Sequence, residues 1–113
     1  MTNHPAYKAM LEREAAAEAR DHDFDVLVRE YFDIQADLLL RKHRDYGPTN
    51  ISRSPGGPIN GLRVRMWDKL ARINNLVDNN LEASNEPLRD SFLDLANYAV
   101  IALMVLDNEW PAE

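Results

Sequence analysis

The sequence contains no cysteine. Disulfides, thiolate nucleophiles and cysteine-held zinc or iron–sulfur centres are excluded with it. Basic charge is also scarce. Thirteen lysines and arginines stand against 19 aspartates and glutamates, for a formal net charge of -6. General nucleic-acid binders display a basic field, so no stable nucleic-acid binding is expected. Long apolar runs are missing as well. The longest, Tyr98 to Leu106, covers about half of a membrane span, and the N-terminus has no apolar signal core. The chain therefore reads as soluble and intracellular, without a membrane partner. Glycine is sparse and unevenly spent: three of the four glycines, with three of the six prolines, fall within residues 47–60. No stretch alternates at period two long enough to demand a strand, and there is no repeat and no low-complexity tract.

What remains is helical. A length of 113 residues, 45% hydrophobic and 28% charged, fits one ordinary globular domain. Residues 6–20 are rich in alanine, glutamate and arginine, good helix formers with a thin apolar face. Residues 24–45 place Phe24, Leu27, Val28, Tyr31, Ile34 and Leu38 at helical spacing. The pair Gly47-Pro48 then supplies a left-handed cap and a residue unable to continue the helix. A third helix is expected over 61–78, with Leu62, Met66, Leu70, Ile73 and Val77 on one stripe and Asn60 as N-cap. A fourth is expected over 86–107, with Pro87 in its first turn. The fold class is all-α: a bundle of about four helices, with residues 1–23 as a helical arm and 24–113 as the domain proper. In the fourth helix Ala99, Val100, Ala102, Leu103, Val105 and Leu106 cover most of the circumference. Such a helix needs burial on several sides, and a self-association into a dimer or tetramer of helical hairpins is expected.

The connection over residues 47–60 is long for a helical bundle, and long loops in compact domains tend to carry function. Lys42, Asp45, Tyr46, Arg53, Arg65 and Asp68 gather at its two ends. Asp45, three residues after Lys42, could orient it. Tyr46 and Trp67 could stack on a base. On the fourth helix Asp90, Asp94 and Asn97 are spaced i, i+4, i+7 and line one face; Asp68, Arg72 and Asn75 do the same on the third. Two antiparallel helices could bring Asp68 close to Asp90 and Asp94. Three carboxylates with amide and water oxygens suit a hard octahedral cation such as magnesium, which could polarise a polyphosphate or activate water. Lys42, Arg53, Arg65 and Lys69 could then clamp phosphate oxygens. The bland alternative is an Asp68–Arg72 ion pair and an Asp90 that serves the helix dipole. Glu30, Asp33 and Asp37 share a face that reads as solvated surface. His4, His22 and His43 are scattered, with no metal-ligand spacing.

The segments KHRDYG, GLRVRMWDKLARINNL and NEPLRDSFLDLANYAVIAL resemble the nucleotide modification associated domain found largely in phage and bacterial proteins. That family looks like a divergent branch of the all-α nucleoside triphosphate pyrophosphatases, which include MazG-like proteins and dimeric dUTPases. The likeness covers about residues 38–106. It implies a nucleotide ligand, a magnesium cofactor, and residence in the cytoplasm of a bacterium or a phage-infected host. MazG-like enzymes bind magnesium through Glu-x-x-Glu on one helix and Glu-x-x-Asp on a later one. Asp94 matches the final aspartate, while Ser91 stands at the preceding glutamate position with Asp90 one residue further back. For the first motif the candidates are Asp68, with Ala71 three residues on, or Glu30 and Asp33. The resemblance thus implies Asp68 and Asp94 as catalytic, Asp68, Asp90 and Asp94 as metal ligands, and Lys42, Asp45, Tyr46, Arg53, Arg65, Lys69 and Asn97 as the substrate contacts. In that reading the loop after DYG closes over the nucleotide with Arg53 and the backbone amides of Gly56-Gly57. The leading expectation is a magnesium-dependent nucleotide pyrophosphohydrolase or related nucleotide-processing enzyme; the competing ones are a nucleotide binder without turnover and a ligand-free helical oligomerisation module.

Overall fold

The structure is a computed structural model that describes residues 4–113. These form four helices, α1 (Pro5–Tyr46), α2 (Thr49–Ser52), α3 (Pro58–Asp78) and α4 (Leu88–Leu106), and no strand occurs among the described residues. The all-α class follows. No helix of the described residues is long and apolar enough to cross a membrane.

Three local expectations are corrected. The two helices anticipated over 6–20 and 24–45 are one helix of 42 residues. Asp21, His22 and Asp23 are indifferent helix formers, but none is a Gly or Pro, and strong formers on both sides carry the helix through. Asn60 does not cap α3: the helix starts at Pro58 with Gly57 (φ +95°) at the N-cap, and the Asn60 amide reaches back to the Pro55 carbonyl at 3.4 Å. The long connection is not open chain. It contains α2, and the amide of Gly57 donates to the Ser54 carbonyl at 2.9 Å. The end of α1 is as expected: Gly47 takes φ +66° and its amide donates to the His43 carbonyl at 2.8 Å.

The chain divides into two compact units, the first ending at Ile34 and the second spanning Gln35–Glu113. In the first, the apolar stripe of α1 lies on a helix but is not covered. Phe24 is 64% exposed, Leu27 47% and Ile34 40%.

In the second unit α3 and α4 pack as an antiparallel pair. Leu62 shares a core with Ile101, Lys69 meets Asp94 and Arg72 meets Ser91, so the register runs in opposite directions along the two helices. Ile51 of α2 joins that core, with Leu39, Tyr98, Ala102, Val105 and Trp110 packed around it. The C-terminal segment closes over α2. The Trp110 indole N–H donates to the Pro48 carbonyl at 3.1 Å, and the Ser52 hydroxyl donates to the Ala112 carbonyl at 2.8 Å.

Gly61 is where this packing is tightest. A Cβ there would lie 2.3 Å from the Ser54 hydroxyl oxygen and 2.4 Å from its Cβ, and Ser54 is buried. Gly61→Ala should therefore cost about 1–3 kcal/mol through overpacking, although alanine is the better helix former. Urea denaturation of parent and variant measures it; an unchanged or higher midpoint would contradict the close approach.

Candidate functional site

The buried face of α4 is polar. Its four buried residues are Ser91, Asp94, Asn97 and Ile101, whereas Leu103 and Leu106 are more than half exposed. Burying polar groups costs free energy unless each finds a partner, so the partners define the site. Ser91, wholly buried, accepts a 2.6 Å hydrogen bond from Arg72, whose guanidinium also donates to the Glu86 carbonyl. Arg72 thus serves the α3–α4 contact and does not pair with Asp68. Asp94 receives two ammonium groups: Lys42 of α1 at 2.6 Å on Oδ1 and Lys69 of α3 at 2.9 Å on Oδ2. Burial alone would push the Asp94 carboxyl up; the hydrogen bonds from Lys42 and Lys69 outweigh it and hold the group below the ordinary carboxylate value. The same contact raises Lys69 above the ordinary lysine value, against the opposing effect of its burial.

Asn97 has no such arrangement. The residue is 5% exposed, and its side-chain Nδ2 is buried without a hydrogen-bond partner. So is Nδ1 of His43. Both residues line a cavity of about 260 Å³ whose walls include Lys42, Tyr46, Asn50, Arg65, Asp94, Tyr98 and Trp110. Trp110 meets His43 edge to face, with ring centroids 5.3 Å apart. Arg65 is held by neutral acceptors, the Ser54 hydroxyl at 3.1 Å and the Asn50 carbonyl at 2.8 Å, so no carboxylate neutralises it. Lys42 and Arg65 line the cavity against the single carboxylate of Asp94; Lys69 reaches Asp94 from outside the lining and also lies 4.0 Å from Glu86. In a chain of net charge -6 the wall is locally cationic.

The expected site residues separate accordingly. Lys42, Tyr46, Arg65, Asp94 and Asn97 come together at the cavity, and Lys69 joins through Asp94. Asp45 is exposed and does not orient Lys42, which turns instead to Asp94. Arg53 pairs with Glu113 at 2.8 Å, both well exposed, and is not part of the cavity lining. Trp67, 62% exposed, lies on a separate apolar depression with Val64 and Leu70. Asp68 is exposed and Asp90 half-buried, and no three acidic or histidine side chains come together as a metal site among the described residues. With an ammonium on each oxygen of Asp94, this donor set does not fit a magnesium ion. His43, Asn50 and Trp110 were not anticipated. His43 had the one usable signal, its place beside Lys42 just before the helix stop.

The second unit is thus an all-α domain with a cationic, partly aromatic cavity. Residues 42–106 match the family described as nucleotide modification associated domain 1, and the chain belongs to that family. No curated protein and no solved structure matches it.

Proposed function

We propose that the cavity binds a nucleoside phosphate, and that this chain acts as a nucleotide-binding protein without hydrolysis. The observation that carries the reading is the Asn97 carboxamide, buried with its donor unpaired against a cationic cavity. An unsatisfied buried polar group costs about 1–3 kcal/mol, a cost that a ligand hydrogen bond would remove. A base edge offers the acceptors and donors that Asn97 and His43 lack. Tyr46, Tyr98 and Trp110 offer ring faces and edges, and base–aromatic stacking contributes about 1–3 kcal/mol per base. The cavity volume of about 260 Å³ is just below that of sites enclosing a whole drug-sized ligand, about 300 Å³ and upward. The base and sugar would fill it, and the phosphates would extend past Lys42, whose side chain is 45% exposed. The family's association with nucleotide modification supports a nucleotide over other anions, and the likeness to all-α nucleoside triphosphate pyrophosphatases favours the polyphosphates. The reading without turnover is supported by Asp94, which two lysines engage and which, among the described residues, neither Asp68 nor Asp90 joins in a metal-binding group.

Melting curves with a panel of deoxynucleoside mono-, di- and triphosphates test this, each with magnesium and with chelator. At a hundredfold excess over Kd the bound ligand should add about 2.7 kcal/mol, a rise of about 10 °C for a chain of this size. The rise should persist in chelator, and the nucleotide should be recovered intact. No rise with any nucleotide would overturn binding; a rise that requires magnesium, or a hydrolysed product, would overturn the reading without turnover.

A further inference from the structure

We infer that Lys42 and Arg65 form a metal-free seat for a single phosphoryl group. The nucleotide is held through the phosphate next to its sugar, and a monophosphate binds as tightly as a triphosphate. This rests on the nucleotide reading above and narrows it to a phosphate count. An ammonium carries three N–H donors and a guanidinium five. Lys42 gives one to Asp94 at 2.6 Å. Arg65 gives one from Nη1 to the Ser54 hydroxyl and one from Nη2 to the Asn50 carbonyl. Their remaining donors meet no acceptor among the described residues, and both side chains line the cavity. Each cation is therefore anchored by the protein with donors still to give, which lowers the ordering cost of binding an anion.

Charge sets the number of phosphates. Lys69 answers the Asp94 carboxylate from outside the lining at 2.9 Å, closer than its 4.0 Å approach to the exposed Glu86. The charges of Lys42 and Arg65 are thereby left to the cavity. A phosphomonoester carries about −1.5 to −2 at neutral pH, which these two balance, and the bonds they offer it are of the stronger, charge-assisted kind. No other lysine or arginine is among the lining residues. Arg53 is paired with Glu113 away from them. Outer phosphates would stand in water beside a chain of net charge -6. The preference for polyphosphates that the family likeness implies depends on a metal ion to neutralise them, and this donor set does not fit one.

Calorimetric titration of the full chain in chelator, with the common deoxynucleosides and their 5′-mono- and triphosphates, decides it. Hydrogen bonds to a charged group are worth about tenfold or more in affinity. For the base that binds best, the monophosphate should therefore bind about tenfold or more tightly than the nucleoside. The triphosphate should bind no more than about threefold tighter than the monophosphate. Lys42→Met and Arg65→Met should each weaken the monophosphate about tenfold, while Lys42→Arg, which keeps the charge and the bond to Asp94, should bind it as the parent does. Should Lys42→Met lose helix by circular dichroism, Arg65→Met carries the same test. A triphosphate favoured beyond that margin overturns the inference and leaves the nucleotide reading standing. So does a folded Lys42→Met or Arg65→Met chain that binds the monophosphate as the parent does, and a nucleoside as tight as its monophosphate overturns the seat outright. If none of the ligands binds, the nucleotide reading itself falls.

Discussion

Asp94→Asn should destabilise the protein by about 2–3 kcal/mol, because it leaves two ammonium groups facing an amide that cannot answer either charge. Lys69 is the more affected, with its side chain 23% exposed; Lys42, at 45%, can turn to water. The pH dependence identifies the cause. Asp94 titrates below its ordinary value of 3.8 in the folded chain. Its contribution is whole above that value and is lost as pH falls through the lower folded one. Lys69 titrates above 10.5, so its contribution is whole below 10.5 and is lost as pH rises through the higher folded value. Parent and variant should therefore differ most at neutral pH and converge at both extremes, as measured by urea midpoints across the range. A carboxylate reserved for a metal would behave oppositely: relief of repulsion in an empty site would leave Asp94→Asn as stable as the parent or more so.

Asn97→Leu should move stability and binding in opposite directions. Leucine nearly matches the carboxamide in shape and removes a buried donor that has no partner, so the ligand-free variant should gain about 1–2 kcal/mol. The same change should abolish the melting-temperature rise produced by nucleotide, which in the parent amounts to about 2.7 kcal/mol at a hundredfold excess. A protein keeps such a cost where the unpaired group has a task. If the leucine variant melts below the parent without ligand, Asn97 is satisfied structurally; if it still responds to nucleotide, Asn97 is not a contact. Either outcome removes the observation on which the functional reading rests.

The helical stretches of α1, α3 and α4 were legible because helical periodicity is local, whereas the continuity of α1 through Asp21–Asp23 and the four-residue α2 were not. The α4 stripe through Asp94 and Asn97 was legible too, since polar residues at i, i+3 in an apolar helix stand out without knowledge of the fold. The partners of Asp94 were not. Lys42 lies 52 residues away in sequence, and the nearby Asp45 offered a cheaper pairing on paper. Arg72 was read against Asp68 on its own helix, but the buried hydroxyl of Ser91 across the α3–α4 contact claimed it, leaving Asp68 in solvent. Trp110 lies beyond the last helix, where no period constrains it. The apolar circumference of α4 pointed to burial that the single chain does not supply at Leu103 or Leu106.

The closure of the C-terminal segment over α2 also sets an order of events. Arg72 and Ser91 are 19 residues apart, so the α3–α4 hairpin closes a short loop and can form early. Trp110 and Pro48 are 62 residues apart, and Ser52 and Ala112 60; their closure carries a larger entropic cost and rewards it with few bonds. The wall that Trp110 gives the cavity is thus assembled late and opens at low cost, while the hairpin beneath it stays intact. In hydrogen exchange the two would be distinct cooperative units, and the amides around Pro48 and Trp110 would exchange first. Whatever enters the cavity can do so through that local opening, without waiting for the domain to unfold.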